Sequence, residues 1–94
     1  MSSEASIEDA FVEYAEGRDC EAIKLRIDGQ NGFPDRTILT PHGRVFFIEF
    51  KKPGGKLSVS QKRWIAKLKK IGFQCEVVDK LNDAKQILDD FLGG

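Results

Sequence analysis

Val45-Phe-Phe-Ile-Glu-Phe-Lys51 is apolar on both faces over most of its length and then turns charged. A strand without a polar face is covered on both sides, so this segment reads as the central strand of a layered α/β sheet. Just upstream, Asp35–Thr40 and Arg44–Lys52 flank Pro41-His42-Gly43. A three-residue connection with glycine last predicts a hairpin. If that hairpin is centred on His42, facing residues sum to 84, which sets Asp35 opposite Glu49; a glycine bulge would slip the register by one. Downstream, Pro53-Gly54-Gly55 ends the strand. Ser58-Val-Ser-Gln61 then has the pattern of a capping box, opening a helix with the stripe Trp64, Ile65, Leu68 and Ile71 and a stop at Gly72.

Further out, Phe73–Val78 is a short strand and Leu81–Leu92 a last helix with Ala84, Ile87, Leu88 and Phe91 inward. Towards the N-terminus, Ile7, Ala10, Phe11 and Tyr14 follow helical spacing, with Ser3 or Ser6 as cap and Gly17 as stop. Ile23, Leu25 and Ile27 alternate with Lys24, Arg26 and Asp28, which predicts a half-buried strand over 23–28, and Asp28–Gly32 is turn chemistry. The expected fold is α/β, in the order α-β-β-β-α-β-α, a mixed sheet flanked by helices. At 94 residues, one domain over 1–94 is expected.

Hydrophobic residues make up 40% and charged residues 32%, which excludes a disordered chain, and no apolar run approaches membrane-spanning length. Met-Ser-Ser-Glu-Ala-Ser, residues 1–6, lacks the charged and apolar regions of a secretion signal, so none is expected, and Cys20 and Cys75 are too few for a disulfide scaffold. Reduced thiols and a cytoplasmic location are expected. The net charge is zero, but residues 1–22 hold seven acids and one base, while 51–72 hold eight bases and no acid. Such a basic block fits a polyanionic partner, and equally a solvated helix face.

Glu49 and Lys51 leave the same face of one strand, and the hairpin register sets Asp35 beside Glu49. Two carboxylates facing each other are destabilising unless a cation is shared, and hard oxygen donors favour Mg2+ or Mn2+. For phosphodiester hydrolysis such an ion would acidify water and polarise the phosphoryl oxygen, while an ammonium stabilises the developing charge. A plain salt bridge between Glu49 and Lys51 at a strand end is the alternative. Lys52, Lys56, Lys62 and Arg63 follow immediately and are expected to meet the phosphates flanking the scissile one.

Pro34-Asp35 followed by Glu49-Phe50-Lys51 resembles the PD-(D/E)xK nuclease superfamily, which has a restriction-endonuclease-like fold. Gly32-Phe-Pro-Asp-Arg36, Phe47-Ile-Glu-Phe-Lys51, Pro53-Gly-Gly-Lys-Leu-Ser58 and Gln61-Lys-Arg-Trp64 together resemble the virus-type replication-repair nuclease family, VRR-NUC. The resemblance implies divalent-metal-dependent DNA cleavage, with Asp35, Glu49 and the backbone carbonyl of Phe50 holding the metal and Lys51 as catalytic lysine. It also implies that Gln61 sits near the metal, although its side chain could simply close the capping box with Ser58. A glutamate of the first helix is implied as an extra metal ligand. Glu8 borders the inward stripe, and Glu4, one turn earlier, competes with it. The expected function is a structure-specific endonuclease acting on branched DNA, resolving four-way junctions as a homodimer. A flap-type or partner-dependent nuclease and a non-catalytic nucleic-acid-binding module are the rivals.

Overall fold

A computed structural model describes residues 3–93. The elements are α1 (Glu4–Glu16), β1 (Glu21–Ile23), β2 (Arg36–Leu39), β3 (Val45–Phe50), α2 (Val59–Lys70), β4 (Cys75–Val78) and α3 (Leu81–Gly93). The sheet runs β1-β2-β3-β4, antiparallel across its first two pairings and parallel between β3 and β4. Parallel neighbours need a crossover, and α2 supplies it. The fold is therefore the expected mixed sheet, with α1 and α3 on one face and α2 on the other.

β3 lies inside the sheet and distributes its side chains to both faces. Phe46, Ile48 and Phe50 enter the larger core with Ile7, Phe11 and Ala15 of α1 and Ala84 and Leu88 of α3. Phe47 points the other way, into a smaller cluster with Ile65, Leu68 and Cys75. Because side chains alternate along a strand, Glu49 follows Phe47 onto that less covered face. The hairpin keeps the register centred on His42: Arg36 pairs with Ile48, Thr37 with Phe47, Ile38 with Phe46 and Leu39 with Val45. No bulge slips it. The reversal is a single 3-10 turn in which His42 (φ 69°) and Gly43 (φ 74°) both take left-handed backbone.

Helix ends are satisfied locally. Ser3, rather than Ser6, caps α1, its Oγ accepting from the Ser6 N–H at 3.1 Å. The Ser58–Gln61 capping box forms in both directions. Both cysteines are free and buried, and burial pushes the Cys75 thiol up to about 11, so it packs as a neutral side chain. No helix among the described residues is long and apolar enough to cross a membrane.

The strand expected over 23–28 is corrected. β1 ends at Ile23, opposite Thr37, and the chain leaves the sheet. Continuing the pairing would set Lys24 against Arg36 and Leu25 against Asp35, then meet Pro34, which has no N–H to give. Leu25 is consequently exposed. The apolar alternation of 23–27 belongs to the wall of a loop.

Candidate active site

The alternation that carries Glu49 onto the α2 face also buries it. Only 2% of the residue is exposed, although it sits at the end of the central strand. A buried carboxylate needs partners, and Glu49 has three. Its Oε1 accepts from the Asp35 N–H at 3.2 Å, its Oε2 accepts from Gln61 Nε2 at 2.9 Å, and Lys51 Nζ stands 3.6 Å from the same Oε2. Asp35 reaches back across the hairpin, its Oδ2 accepting from the Phe50 N–H at 2.8 Å. These reciprocal bonds lock Pro34-Asp35 beside the end of β3. Phe50 contributes backbone alone here, since its ring lies in the opposite core, 5.7 Å from Phe11.

Burial, and next the charge of Asp35, push the Glu49 carboxyl up from 4.5 to about 7, while the Lys51 ammonium pulls it down. Two acids and one base in a confined space thus leave Glu49 short of positive charge. The exposed strand-end salt bridge is not what this geometry shows, because the acid is buried and held by three residues, Asp35, Gln61 and Lys51.

Gln61 closes the capping box and also reaches Glu49. Its Oε1 accepts from the Ser58 N–H at 2.8 Å to close the capping box, which aims its Nε2 at Glu49. The start of α2 is thereby tied to the end of β3 by one amide.

Glu8 is placed differently. It shares with Asp35 a cavity of about 400 Å3, also lined by Lys24, Arg26 and Asp28. Its carboxylate, however, accepts from Arg36 Nε at 2.6 Å, on the α1 side of the sheet. Glu4 is turned to the Lys52 N–H, at 3.3 Å. Among the described residues no three His, Cys, Asp or Glu side chains gather in an ion-binding group, so the close carboxylate pair is Asp35 and Glu49. Lys52, Lys56, Lys62 and Arg63 are all exposed after β3 and at the start of α2.

Two residues gain roles that the sequence reading did not assign. Arg36 joins three elements, donating from Nε to Glu8 and from Nη1 to the Ala22 carbonyl at 2.8 Å. Its signal was positional, since it shares the inward face with Ile38, where a charge must find a partner. Gly32 (φ 89°) lies against α2, and a Cβ there would come within 2.5 Å of the Ser60 carbonyl carbon. Only the three-dimensional approach reveals that requirement.

The site thus gathers two carboxylates, an ammonium and an amide at one end of a mixed α/β sheet. The VRR-NUC domain model matches residues 4–80, and the chain belongs to the VRR-NUC family. It is 39% identical over 67 residues to a protein named "Putative nuclease p44" from Acyrthosiphon pisum secondary endosymbiont phage 1, covering 71% of each chain. It is also 39% identical over 51 residues to the Fanconi-associated nuclease 1 homolog of Caenorhabditis elegans; that match covers 53% of this chain but 6% of the much longer relative. Two solved VRR-NUC domain structures share the fold. One has a TM-score of 0.85 at 23% identity, covering 95% of this chain and 97% of the other. The second has a TM-score of 0.80 at 15% identity, covering 98% and 89%. The protein is a nuclease, an enzyme that acts on nucleic acid.

Proposed function

We propose that this protein is a divalent-metal-dependent, structure-specific DNA endonuclease that resolves four-way junctions as a homodimer, with residues 1–94 forming one nuclease domain. The buried Glu49, shared by Asp35, Lys51 and Gln61, is the observation that carries the reading. Burial and the neighbouring Asp35 together push Glu49 up to about 7, a cost that a shared cation would offset. Asp35 and Glu49 supply hard oxygen donors, which suit Mg2+ or Mn2+ with water and the Phe50 carbonyl completing the set. When bound, the ion supplies an acidified water and polarises the phosphoryl oxygen.

The remaining roles belong to side chains. Lys51 holds its ammonium where charge on the attacked phosphate builds up and can orient the attacking water. Gln61 keeps Glu49 in one orientation through an amide that is itself pinned by the capping box. Glu8, clamped by Arg36, lines the approach to Asp35 and could reach an ion through water. Lys52, Lys56, Lys62 and Arg63 meet the phosphates flanking the scissile one.

Pairing is supported by the β4 side of the molecule. Among the described residues β4 is an outer strand, and Ile71 (66% exposed), Phe73 and Val77 leave large apolar side chains in solvent around it. Edge strands and apolar patches of this kind call for cover, and two-fold pairing is the commonest symmetry among homo-oligomers. A dyad would also supply the two matched cuts that a four-way junction needs.

The test is a cleavage panel of duplex, splayed-arm, flap and four-way-junction DNA with Mg2+ or Mn2+, alongside light scattering. Symmetric cuts in the junction, abolished by a chelator, and a mass twice 10.6 kDa are expected. Cleavage that persists in chelator would overturn the metal role. A monomer that prefers single flaps would overturn junction resolution and leave the nuclease.

A further inference from the structure

The loop from β1 to β2, residues 24–35, separates two grooves. One holds Glu8, Asp28 and Asp35 and belongs to the site already described. The other, about 200 Å3, lies between the loop tip and α2 and has no acidic side chain in its lining. Gln30 and Asn31 form one wall, and Ser60, Arg63, Trp64 and Lys67 the other.

We propose that this second groove takes one unpaired nucleotide of the DNA substrate, with its base stacked on Trp64 and its phosphates met by Arg63 and Lys67. The identity of the ligand as DNA rests on the function proposed above.

The wall on α2 follows from helical spacing. Positions 60, 63, 64 and 67 are i, i+3, i+4 and i+7, a single stripe running beside the buried Ile65 and Leu68. Trp64 is therefore half-buried, braced by Phe33 in an edge-to-face contact at 5.1 Å. Its ring is also covered by the Lys67 ammonium, 4.9 Å from the centroid. That cover is a flexible, exposed side chain. A nucleobase gains more from stacking on an aromatic ring than an exposed lysine gains over it, so the base displaces Lys67 and frees its charge for a phosphate.

The opposite wall is held in place. Gly32 brings loop backbone directly onto α2, where a Cβ would sit 2.5 Å from the Ser60 carbonyl carbon and 2.7 Å from the Gln61 nitrogen. This contact fixes Gln30 and Asn31 facing Arg63 and Lys67, so the groove exists before any ligand arrives. Side-chain amides both donate and accept, which suits the edge of a base that has no pairing partner. A stacked base pair cannot enter a cleft of this size; an extruded nucleotide can. The groove begins next to Gln61, the residue bonded to Glu49, so an unpaired nucleotide seated here puts the neighbouring duplex over the candidate active site.

Trp64 is the only tryptophan in the chain, so its fluorescence reports on this groove alone. The full-length protein, in EDTA to prevent cleavage, is titrated with a short single-stranded DNA and with a duplex of equal length. Anisotropy of a labelled end of each DNA reports binding separately. The strand should quench Trp64 in step with binding, and the duplex should bind with little quenching. Replacing Lys67 by alanine, an exposed residue of this groove alone, should weaken strand binding by about fivefold and duplex binding by much less. Saturated strand binding without quenching overturns the proposal. So does equal quenching by both DNAs, or a Lys67→Ala variant that weakens both equally. No metal or turnover enters this assay, so its failure leaves the cleavage chemistry standing, and an inactive enzyme leaves the groove standing.

Discussion

The two faces of the sheet show how one small domain divides its work. The α1–α3 face buries a cluster of twelve apolar residues, from Ile7 to Leu88. The α2 face buries four in its cluster, Phe47, Ile65, Leu68 and Cys75, and the space beyond them is left to Asp35, Glu49 and Lys51. A single amphipathic helix cannot cover a four-stranded sheet. The uncovered end is where polar side chains can gather with partial access to water. Stability is concentrated on one side of β3 and chemistry on the other, and neighbouring residues of one strand serve both.

The sharpest way to break that division is to cut into the covered face. Phe46 is fully buried and packs on Phe91 at 4.5 Å between ring centroids. Phe46→Ala should cost about 3–5 kcal/mol by urea denaturation, and activity should be lost together with the fold. A cost below about 1 kcal/mol would mean that this face is not the main source of stability.

On the other face the pattern should invert. Asp35→Ala and Lys51→Ala should each reduce single-turnover cleavage at least about a hundredfold. Stability should fall by about 1–3 kcal/mol, less than for Phe46→Ala, because one variant strips the Phe50 N–H of its acceptor and the other leaves Glu49 without its cation, while no packing is lost from the core. Wild-type cleavage by Lys51→Ala would remove that lysine from the mechanism.

The subtlest test uses Glu49, which is as buried as the core yet belongs to the polar face. Its folded pKa, about 7, lies above the ordinary 4.5, so folding favours the neutral acid. Its contribution to stability is present in full below about pH 4.5 and is lost as pH rises through about 7. The melting temperature of metal-free protein should fall across that window, and Glu49→Gln should flatten the fall. An unchanged slope in the variant would place the titrating group elsewhere.

Much of this arrangement is legible locally. The unbroken apolar run of 45–48 marks β3 as an interior strand, and the hairpin centred on His42 sets Asp35 beside Glu49 without any knowledge of the rest of the chain. Ser58 and Gln61 declare the start of α2 by a capping pattern that depends on residues only three apart. Signals of this sort survive because the forces behind them act between near neighbours in sequence. The reading of 23–28 failed for the complementary reason. A strand requires a partner it can bond to, and pairing beyond Ile23 would set Lys24 against Arg36 and then run into Pro34, so the chain leaves the sheet there.

The sequence by itself determined the element order, the central strand, the acidic pair with its lysine and the basic block that follows them. Tertiary structure decided that Gln61 caps its helix and holds Glu49 with the same amide, that Glu8 is clamped by Arg36, and that Gly32 must touch α2. Each of these joins residues from separate elements whose distance is set by packing. Periodicity assigns a side chain to a face, but only the closed core determines which other side chain it meets there.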